Sequence, residues 1–350
     1  MSKKIKVAQW ATGGVGRCAL RAIEQNPHLE LVACLVYDAG KAGKDAGAIA
    51  GIHDMGVKAT TDVDALLALN PDVISYSGLW SNTDDFCRIL EAGISIVTTS
   101  GFVTGHALGE ENRLRIQDAA VRGKSAIFGT GIHPGYTSYI SLIAAGICTD
   151  IDSITVQESV DCTGYASAET WESCGFGAPL DTPGLADKVA DGTRVFSDGI
   201  YLAAEALGVQ LDDVRYEVVF SAAPEDSDFG FMQIAKGCVA GLSGGWYGYS
   251  GGRRVIGLEQ RWKMGPRVEP DIDLMQGYRV SVKAKPNVDF TLHHSPPADF
   301  AGKTPEEYME MNLITTALPA INAIPHVLNA SPGIRTYLDL PLITGNGFVK

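Results

Sequence analysis

The sequence is short of positive charge and of paired cysteines. It has 28 Lys and Arg against 41 Asp and Glu, a formal net charge of −13. An acidic surface repels phosphate backbones and anionic lipids, so we expect no nucleic-acid or membrane partner. The seven cysteines are odd in number and never form a C-x-x-C pair, which argues against a disulfide framework and a zinc module. We predict no metal site.

The sequence also lacks a leader-like start and any apolar run close to the roughly 20 residues of a membrane helix. We therefore expect a cytoplasmic protein. Its 350 residues exceed what one hydrophobic core usually serves, and 45% of them are apolar. Length and composition together favour a folded chain of two domains.

The first part of the chain alternates apolar runs with helical periodicity. Strands are predicted at 5–10, 29–37, 73–77, 95–99 and 125–128, and helices at 14–26, 62–69, 83–92 and 110–122. Strands that alternate with helices require crossover connections and a doubly wound parallel sheet. Residues 1–135 are therefore predicted to form a Rossmann domain of the α/β class.

The pattern changes after residue 135. Strand-like runs joined by loops rich in Gly and Pro predict an α+β domain with a largely antiparallel sheet over 136–303. Residues 304–350 return to helical periodicity and are predicted to form a C-terminal helical segment. The glycine-rich stretch 241–252 is compatible with either a mobile loop or a tight hairpin.

A glycine-rich turn follows the first predicted strand and opens the first predicted helix. Residues 11–16 read Ala-Thr-Gly-Gly-Val-Gly, close to the dinucleotide fingerprint G-x-G-x-x-G. Gly13 would let a pyrophosphate approach the backbone, and Gly16 would allow close packing of helix on strand. Ala11 takes the first position, which we expect to require a negative φ. The predicted cofactor-binding residues of this turn are Thr12, Gly13, Gly14, Val15 and Gly16.

The residue after the second strand bears on the choice of cofactor. A carboxylate at Asp38 would accept hydrogen bonds from a ribose diol and repel a 2′-phosphate, which favours NAD(H). Lys41 and Lys44 favour NADP(H), because either could neutralise that phosphate. We predict NAD(H) or NADP(H) as the cofactor, with NAD(H) preferred, and include Asp38 and Lys41 in its site.

Four motifs carry a family resemblance: ATGGVGR at 11–17, GKDAG at 43–47, GTGIHPG at 129–135 and PAINAIP at 319–325. They resemble the dihydrodipicolinate reductase-like family, most closely 2,4-diaminopentanoate dehydrogenase and the native amine dehydrogenases, including actinobacterial paralogues. The resemblance implies a Rossmann domain, a substrate domain and a C-terminal helix that returns to the first domain. It also implies homodimers that reduce imines formed from carbonyl compounds and ammonia, or oxidise amines. Asn322, in the fourth motif, joins the predicted cofactor site.

One stretch departs from that family. The amine dehydrogenases carry a Glu shortly after the strand at 95–99, whereas this chain has Ser100, Gly101 and Phe102 there. Their general base is therefore not carried over. His133 also stands where the amine dehydrogenases often have Asn.

Ligands of doubly wound sheets bind at the carboxyl ends of the strands. The loops expected there add Ser77, Gly78, Thr99, Ser100 and Gly131 to the cofactor site. Reduction of C=O or C=N also needs a proton, so His133, His106 and Tyr136 are the catalytic candidates, each with a structural role as the alternative. Buried carboxyls among Glu158, Asp161 and Glu172 could replace the missing Glu. Predicted substrate-pocket residues are Phe102, Tyr139, Tyr165, Trp171 and Phe176, for several of which core packing is equally compatible.

Three functions remain compatible with these observations. The preferred one is an NAD(P)H-dependent amine dehydrogenase or imine reductase, which interconverts a small ketone or aldehyde plus ammonia with a primary amine. The second is an NAD(P)H-dependent carbonyl or alcohol oxidoreductase, and the third is a dinucleotide-binding protein without turnover.

Overall fold

The computed structural model describes residues 3–349, which divide into two compact units. Unit 1 comprises the chain up to Tyr136 and from Asn312 onward, and unit 2 comprises Thr137–Met311. We expected the divisions after residues 135 and 303.

Unit 1 is built on a parallel sheet whose strands are buried on both faces. The strands β1 to β6 are Ile5–Trp10, Leu29–Leu35, Ala59–Thr60, Val73–Tyr76, Ser95–Thr98 and Ala126–Gly129. Their order across the sheet is β6-β5-β4-β1-β2-β3, and every pair is parallel. This is the doubly wound order, and the strand order reverses between β1 and β4. The predicted Rossmann architecture is confirmed.

Three of the five helices described in unit 1 begin at a polar capping side chain, and two begin after a glycine. They are α1 (Gly14–Gln25), α2 (Ala46–Ala50), α3 (Val63–Ala68), α4 (Thr83–Glu91) and α5 (Glu110–Gly123). The Asn82 side chain accepts from the backbone N–H groups of Asp84 and Asp85 and so caps α4. Apolar side chains of α4 and α5, including Phe86, Ile89 and Ile116, pack in the core of this unit.

Unit 2 contains a mixed sheet. Its strands β7 to β14 are Thr149–Asp161, Asp213–Ala222, Ser227–Asp228, Gln233–Ile234, Val239–Ser250, Arg253–Lys263, Gly277–Lys285 and Val288–Leu292. The order is β14-β13-β7-β12-β11-β8, with β9 and β10 paired separately. Only β7 and β12 are parallel in this six-stranded sheet, so the predicted, largely antiparallel sheet is confirmed.

The glycine-rich stretch 241–252 forms most of β11 and its turn into β12, so the hairpin alternative is correct. A Cβ on Gly244 would lie 2.1 Å from the carbonyl oxygen of Glu217, and one on Gly245 would lie 2.1 Å from that of Leu258. These glycines let three strands approach closely. The helices of unit 2 are α6 (Thr137–Ala145), α7 (Ala168–Ser173), α8 (Leu185–Gly192) and α9 (Val195–Leu207).

The chain from Asn312 onward, which includes most of the last helix, completes unit 1. Helix α10 (Pro305–Leu328) is followed by β15 (Gly333–Arg335), which pairs in parallel with β6 at the edge of the first sheet. The stretch Glu307–Leu328 is long and apolar enough to cross a membrane by length and composition alone. Core helices pass the same test, and Ala317, Ala320, Ile321, Ala323 and Ile324 of this helix are buried.

Candidate functional site

The glycine turn between β1 and α1 is open at Gly13 and closed at Gly16. A Cβ on Gly13 would meet no described atom within 4 Å, whereas a Cβ on Gly16 would lie 2.2 Å from the carbonyl oxygen of Ala11. The first helical hydrogen bond runs from Arg17 N–H to the Gly13 carbonyl at 2.9 Å. The turn therefore has the form of a phosphate-binding turn, with open backbone at the amino end of a helix.

Ala11 corrects one expectation, because its φ is +71° rather than negative. Two hydrogen bonds hold it in the left-handed region. Its N–H donates to the Leu35 carbonyl at 3.0 Å, and its carbonyl accepts from the buried Gln9 amide at 2.9 Å. Neighbouring strands thus impose a conformation that costs an alanine roughly 1–2 kcal/mol.

The returning helix α10 contacts the glycine-rich segments of unit 1. A Cβ on Gly14 would lie 2.6 Å from Leu313 Cδ1, and one on Gly131 would lie 3.5 Å from Thr316 Cγ2. Asn322 lies on the same helix, and its Oδ1 is buried without a hydrogen-bond partner among residues 3–349. A buried acceptor of this kind fits an amide or hydroxyl donor of a ligand.

Asp38 and Lys41 lie after β2, as the sequence predicts. Asp38 is exposed, and its Oδ1 accepts from the Gly40 N–H at 2.8 Å, which leaves the second carboxylate oxygen toward solvent. Lys41 Nζ donates to the Thr12 carbonyl at 3.3 Å. The lysine therefore reaches the glycine turn itself.

Aromatic side chains at this sheet edge form a group that the sequence analysis missed. The Trp10 indole donates to the Tyr37 hydroxyl at 2.8 Å, and Trp10 stacks on Tyr76 with ring centroids 5.4 Å apart. The Tyr76 hydroxyl donates to Asp85 at 3.1 Å. Burial raises the pKa of both Tyr76 and Asp85. Tyr37 is 64% exposed. An aromatic residue directly before Asp38 was the feature of the sequence that could have pointed to this group.

The loops after β4 and β5 are joined by hydrogen bonds. The Ser100 hydroxyl is buried and donates to the Gly78 carbonyl at 2.5 Å, while Thr99 N–H donates to the Tyr76 carbonyl at 3.2 Å. Ser77 N–H donates to the Trp10 carbonyl at 2.9 Å, and its hydroxyl accepts from Gln9 at 3.3 Å. The Ser100 side chain therefore positions the loops rather than presenting its hydroxyl to a ligand.

The catalytic candidates differ in their environments. His133 and Tyr136 lie in the segment Ile132–Tyr136 after β6, which is kinked at His133, where the backbone is extended (φ −139°, ψ 131°). Burial lowers the pKa of His133 from 6.5 to about 3, so its ring is neutral at neutral pH. That pKa does not suit the proton donor expected of His133, because an imidazole donates efficiently only near its pKa. His106 is half-buried in a short 3₁₀ helix, where its Nδ1 lies 2.8 Å from the Thr104 hydroxyl.

The predicted pocket residues separate into two groups. Phe102 is 1% exposed and packs edge-on against Phe86, with centroids 5.8 Å apart, in the core of unit 1. This burial corrects its assignment to a pocket wall. In unit 2, Trp171 contacts Tyr165 at 5.7 Å and Phe176 at 5.3 Å between centroids. Tyr139 belongs to the same unit and lies on α6.

A carboxyl group lies beside that aromatic cluster. Trp262 stacks edge-on with Trp171 at 5.6 Å, and its indole donates to Glu158 Oε2 at 2.7 Å. The Tyr278 hydroxyl also hydrogen-bonds this carboxylate. Burial raises the pKa of Glu158 from 4.5 to about 7 against the effect of both donors. The other two carboxyl candidates, Asp161 and Glu172, are exposed.

A groove on the surface of unit 1 contains none of the predicted site residues. This groove of about 410 Å³ between α4 and α5 is lined mainly by charged side chains, and ion pairs Arg115–Asp84 (2.5 Å) and Arg122–Glu91 (2.6 Å) lie along it. No group of three or more His, Cys, Asp or Glu side chains suited to a metal ion occurs in the part of the chain described.

Comparison with known families gives two matches that together span most of the chain. Residues 136–346 match the model of the 2,4-diaminopentanoate dehydrogenase C-terminal domain. Residues 5–127 match that of the dihydrodipicolinate reductase N-terminus.

Individual relatives agree with these matches. An amine dehydrogenase of Streptomyces virginiae is 27% identical over 354 residues, which cover 97% of this chain and 96% of that protein. A 2,4-diaminopentanoate dehydrogenase of Acetoanaerobium sticklandii is 24% identical over 277 residues, covering 74% and 72%. The solved amine dehydrogenase from Mycobacterium smegmatis has the same fold, with a TM-score of 0.79 at 16% identity over 98% of each chain.

Proposed function

The chain belongs to the 2,4-diaminopentanoate dehydrogenase family, and on that premise we propose that it interconverts a small ketone or aldehyde plus ammonia with a primary amine. It is an NAD(P)-dependent oxidoreductase. The proposal is also supported by its full-length similarity to an amine dehydrogenase.

The observation that carries the cofactor role is the open glycine turn. The empty space at Gly13, the tight Gly16–Ala11 approach and the amino end of α1 fit a pyrophosphate. The nicotinamide ring supplies or accepts the hydride when bound. We propose that the residues holding this cofactor are Thr12, Gly13, Gly14, Val15, Gly16, Asp38, Lys41, Ser77, Gly78, Thr99, Gly131 and Asn322. Ser100 supports them by fixing the loops after β4 and β5.

NAD(H) is the preferred cofactor in this proposal. The free oxygen of Asp38 suits a ribose hydroxyl, and Lys41 is engaged with the Thr12 carbonyl. Both features favour a diol over a 2′-phosphate at this position.

The protein's own groups then handle the proton. His106 and Tyr136 remain the proposed donors in unit 1, and the neutral imidazole of His133 is proposed to hydrogen-bond rather than to exchange a proton. In unit 2, Tyr165, Trp171 and Phe176 are proposed to give the substrate site its apolar character. Tyr139 is proposed as a further wall residue.

The proposed setting is a cytoplasmic homodimer that acts on a small molecule, with no nucleic-acid or membrane partner. The net charge of −13 supports the last point. Strand β8 forms one edge of the unit 2 sheet and carries Val219, which is 61% exposed, so pairing through this edge is available.

Turnover with and without ammonia tests the function. Purified protein with reduced cofactor and a panel of small ketones and aldehydes should lose nicotinamide absorbance only when ammonium chloride is present. The matched control replaces ammonium chloride by sodium chloride at equal ionic strength. Oxidation of cofactor that is independent of ammonia would contradict amine chemistry.

That last outcome would favour the second candidate, carbonyl or alcohol oxidoreduction. One specific observation supports it, because Ser100, Gly101 and Phe102 occupy the place of the amine dehydrogenases' Glu. Binding of cofactor without turnover on any substrate would instead indicate the non-catalytic alternative.

A further inference from the structure

Three polar side chains lie side by side, on three neighbouring strands, on one face of the unit 2 sheet. Glu158 on β7 is the register partner of Gln260 on β12 and of Tyr278 on β13. Directly paired residues of neighbouring strands project to the same face, at roughly 5 Å between β-carbons. Trp262, two residues along β12, projects to that face as well.

This group has more hydrogen-bond acceptors than the donors around it satisfy. Gln260 is fully buried, and its Oε1 has no hydrogen-bond partner within the described range 3–349. Glu158 accepts from the Trp262 indole and the Tyr278 hydroxyl, and its two oxygens offer further acceptor positions. No Lys, Arg or His described in the structure forms an ion pair with Glu158. The group therefore combines an unsatisfied acceptor, Gln260 Oε1, with a carboxyl group, Glu158, that has no positively charged partner among the residues that the structure describes.

The surroundings favour an organic cation. The Trp262 and Trp171 rings meet edge-on at 5.6 Å, and Tyr165 extends the aromatic cluster. Aromatic faces attract ammonium groups, and a buried carboxylate requires a compensating positive charge or a proton. Glu158 keeps part of its surface exposed whereas Gln260 is fully buried, so an entering cation would meet Glu158 first.

We infer that Glu158 and Gln260 form a binding site for a primary ammonium group, with Glu158 as the ionic partner and Gln260 as a neutral acceptor. This inference rests on the proposed function, which requires the protein to hold either ammonium or a substrate amine. Trp262 and Tyr278 are positioning residues, because their donors orient the Glu158 carboxylate.

The site also accounts for one proton. An ammonium N–H bond breaks as its proton moves to a Glu158 oxygen, which leaves a neutral amine with a free electron pair and a neutral carboxylic acid. The reverse transfer regenerates the carboxylate. A Glu158 pKa of about 7 suits exchange in both directions near neutrality.

The other titratable groups in this cluster stay neutral. Burial raises the pKa of Cys174 to about 12, and that of Cys162 well above its usual value. Burial also raises the pKa of Tyr165 and of Tyr278. Asp161, on the same strand, is exposed. Protonation of Glu158 is therefore the event expected to control cation binding near pH 7.

Direct binding measurements test the site without relying on turnover. Ethylammonium chloride and ammonium chloride are titrated calorimetrically into the whole chain at about pH 8 and about pH 6, with sodium chloride as the blank. The variants are Glu158→Gln and Gln260→Leu. The control is Glu259→Gln, which removes a carboxylate from the other face of the same sheet, where it accepts from Gln157 at 2.9 Å.

Wild type and Glu259→Gln should bind at least one of the two cations. Glu158→Gln should weaken that affinity at least about tenfold, and Gln260→Leu several-fold. Wild-type affinity should fall about tenfold from pH 8 to pH 6 as Glu158 takes up its proton. Tighter binding of ethylammonium assigns the site to the substrate amine, and tighter binding of ammonium assigns it to free ammonia; both support the inference.

Equal affinity in Glu158→Gln and wild type, equal binding of sodium, or no binding in wild type overturns the inference. The turnover assay remains separate. Ammonia-dependent oxidation without cation binding at Glu158 would remove this site and leave the proposed function standing. Cation binding at Glu158 without turnover on any ketone or aldehyde would keep the site and remove the proposed function.

Discussion

The carbonyl oxygen of Ala11 occupies the place that a β-carbon of residue 16 would need, at 2.2 Å. The last residue of the glycine turn thus packs directly on the first. Gly13, between them, faces open space. One turn therefore contains one glycine required by the protein's own packing and one glycine whose open side is available to a ligand.

Alanine substitutions should separate these two roles. Gly16→Ala should lower the free energy of unfolding by about 3 kcal/mol, because the new methyl group collides with backbone. Gly13→Ala should leave the melting temperature nearly unchanged, because its methyl group enters open space, and should weaken cofactor binding about tenfold or more if the pyrophosphate takes that space. Thermal unfolding and cofactor titration measure both. Normal cofactor affinity in Gly13→Ala would contradict the proposed phosphate site.

Ala11→Gly should stabilise the protein. Glycine adopts a φ of +71° without the steric cost that alanine bears, so a gain of about 1 kcal/mol in unfolding free energy is expected. Denaturant unfolding provides the measurement. Ala48→Gly, on the exposed side of α2, is the control and should lose stability by a similar amount. If Ala11→Gly loses stability as Ala48→Gly does, the backbone at Ala11 is not strained.

Asp38→Ser should shift the cofactor preference toward NADP(H). The change removes the charge that repels a 2′-phosphate, and the ratio of affinities should move about tenfold or more. Parallel titrations with both cofactors report this ratio. Asp54→Ser removes another exposed acid of unit 1 and should leave the ratio unchanged. A wild-type protein that already prefers NADP(H) would count against the proposal.

His133 should make the fold sensitive to acid. Its folded pKa of about 3 lies below the unfolded value of 6.5, so its stabilisation is complete above pH 6.5 and is lost as the pH falls toward 3. Between pH 7 and pH 5 the loss should be about 2 kcal/mol. His133→Asn should lack this loss, whereas His28→Asn, at an exposed position, should keep it. Unfolding curves with identical pH slopes in all three proteins would exclude a buried, neutral His133.

Glu158 should produce the opposite trend. Its folded pKa of about 7 lies above the unfolded value of 4.5, so its contribution is fully present below pH 4.5 and is lost as the pH rises through 7. Wild type should therefore lose about 2 to 3 kcal/mol relative to Glu158→Gln between pH 5 and pH 8. Chemical unfolding at these two pH values measures the difference. If the difference in unfolding free energy between wild type and Glu158→Gln is the same at both pH values, the pKa of Glu158 is not raised in the folded protein.

The sequence sufficed for the architecture of unit 1 because its information is local. The apolar run that became β2 is buried along most of its length, and the periodicity at 110–122 became α5, Glu110–Gly123. Alternation of strands and helices then leaves few allowed topologies. The glycine turn was recognisable for the same reason, since a strand precedes it and a helix follows it.

Features that depend on contacts distant in sequence were missed or misjudged. The φ of Ala11 is determined by Leu35 on the next strand, and the burial of Phe102 by Phe86 on α4. The Glu158–Gln260 pair requires the register of two strands separated by three helices and four other strands. No local pattern specifies such a register. His133 is a similar case, because its type suggested proton transfer while its burial keeps it neutral.

The position of β15 has a consequence during synthesis. The last strand of the first sheet comes from residues 333–335, after the whole of unit 2. While the ribosome makes unit 2, the outer edge of β6 exposes unpaired backbone groups, a template for unwanted pairing with other nascent chains. Unit 1 therefore reaches its final form only after the whole of unit 2 has been synthesised, although its first six strands precede unit 2.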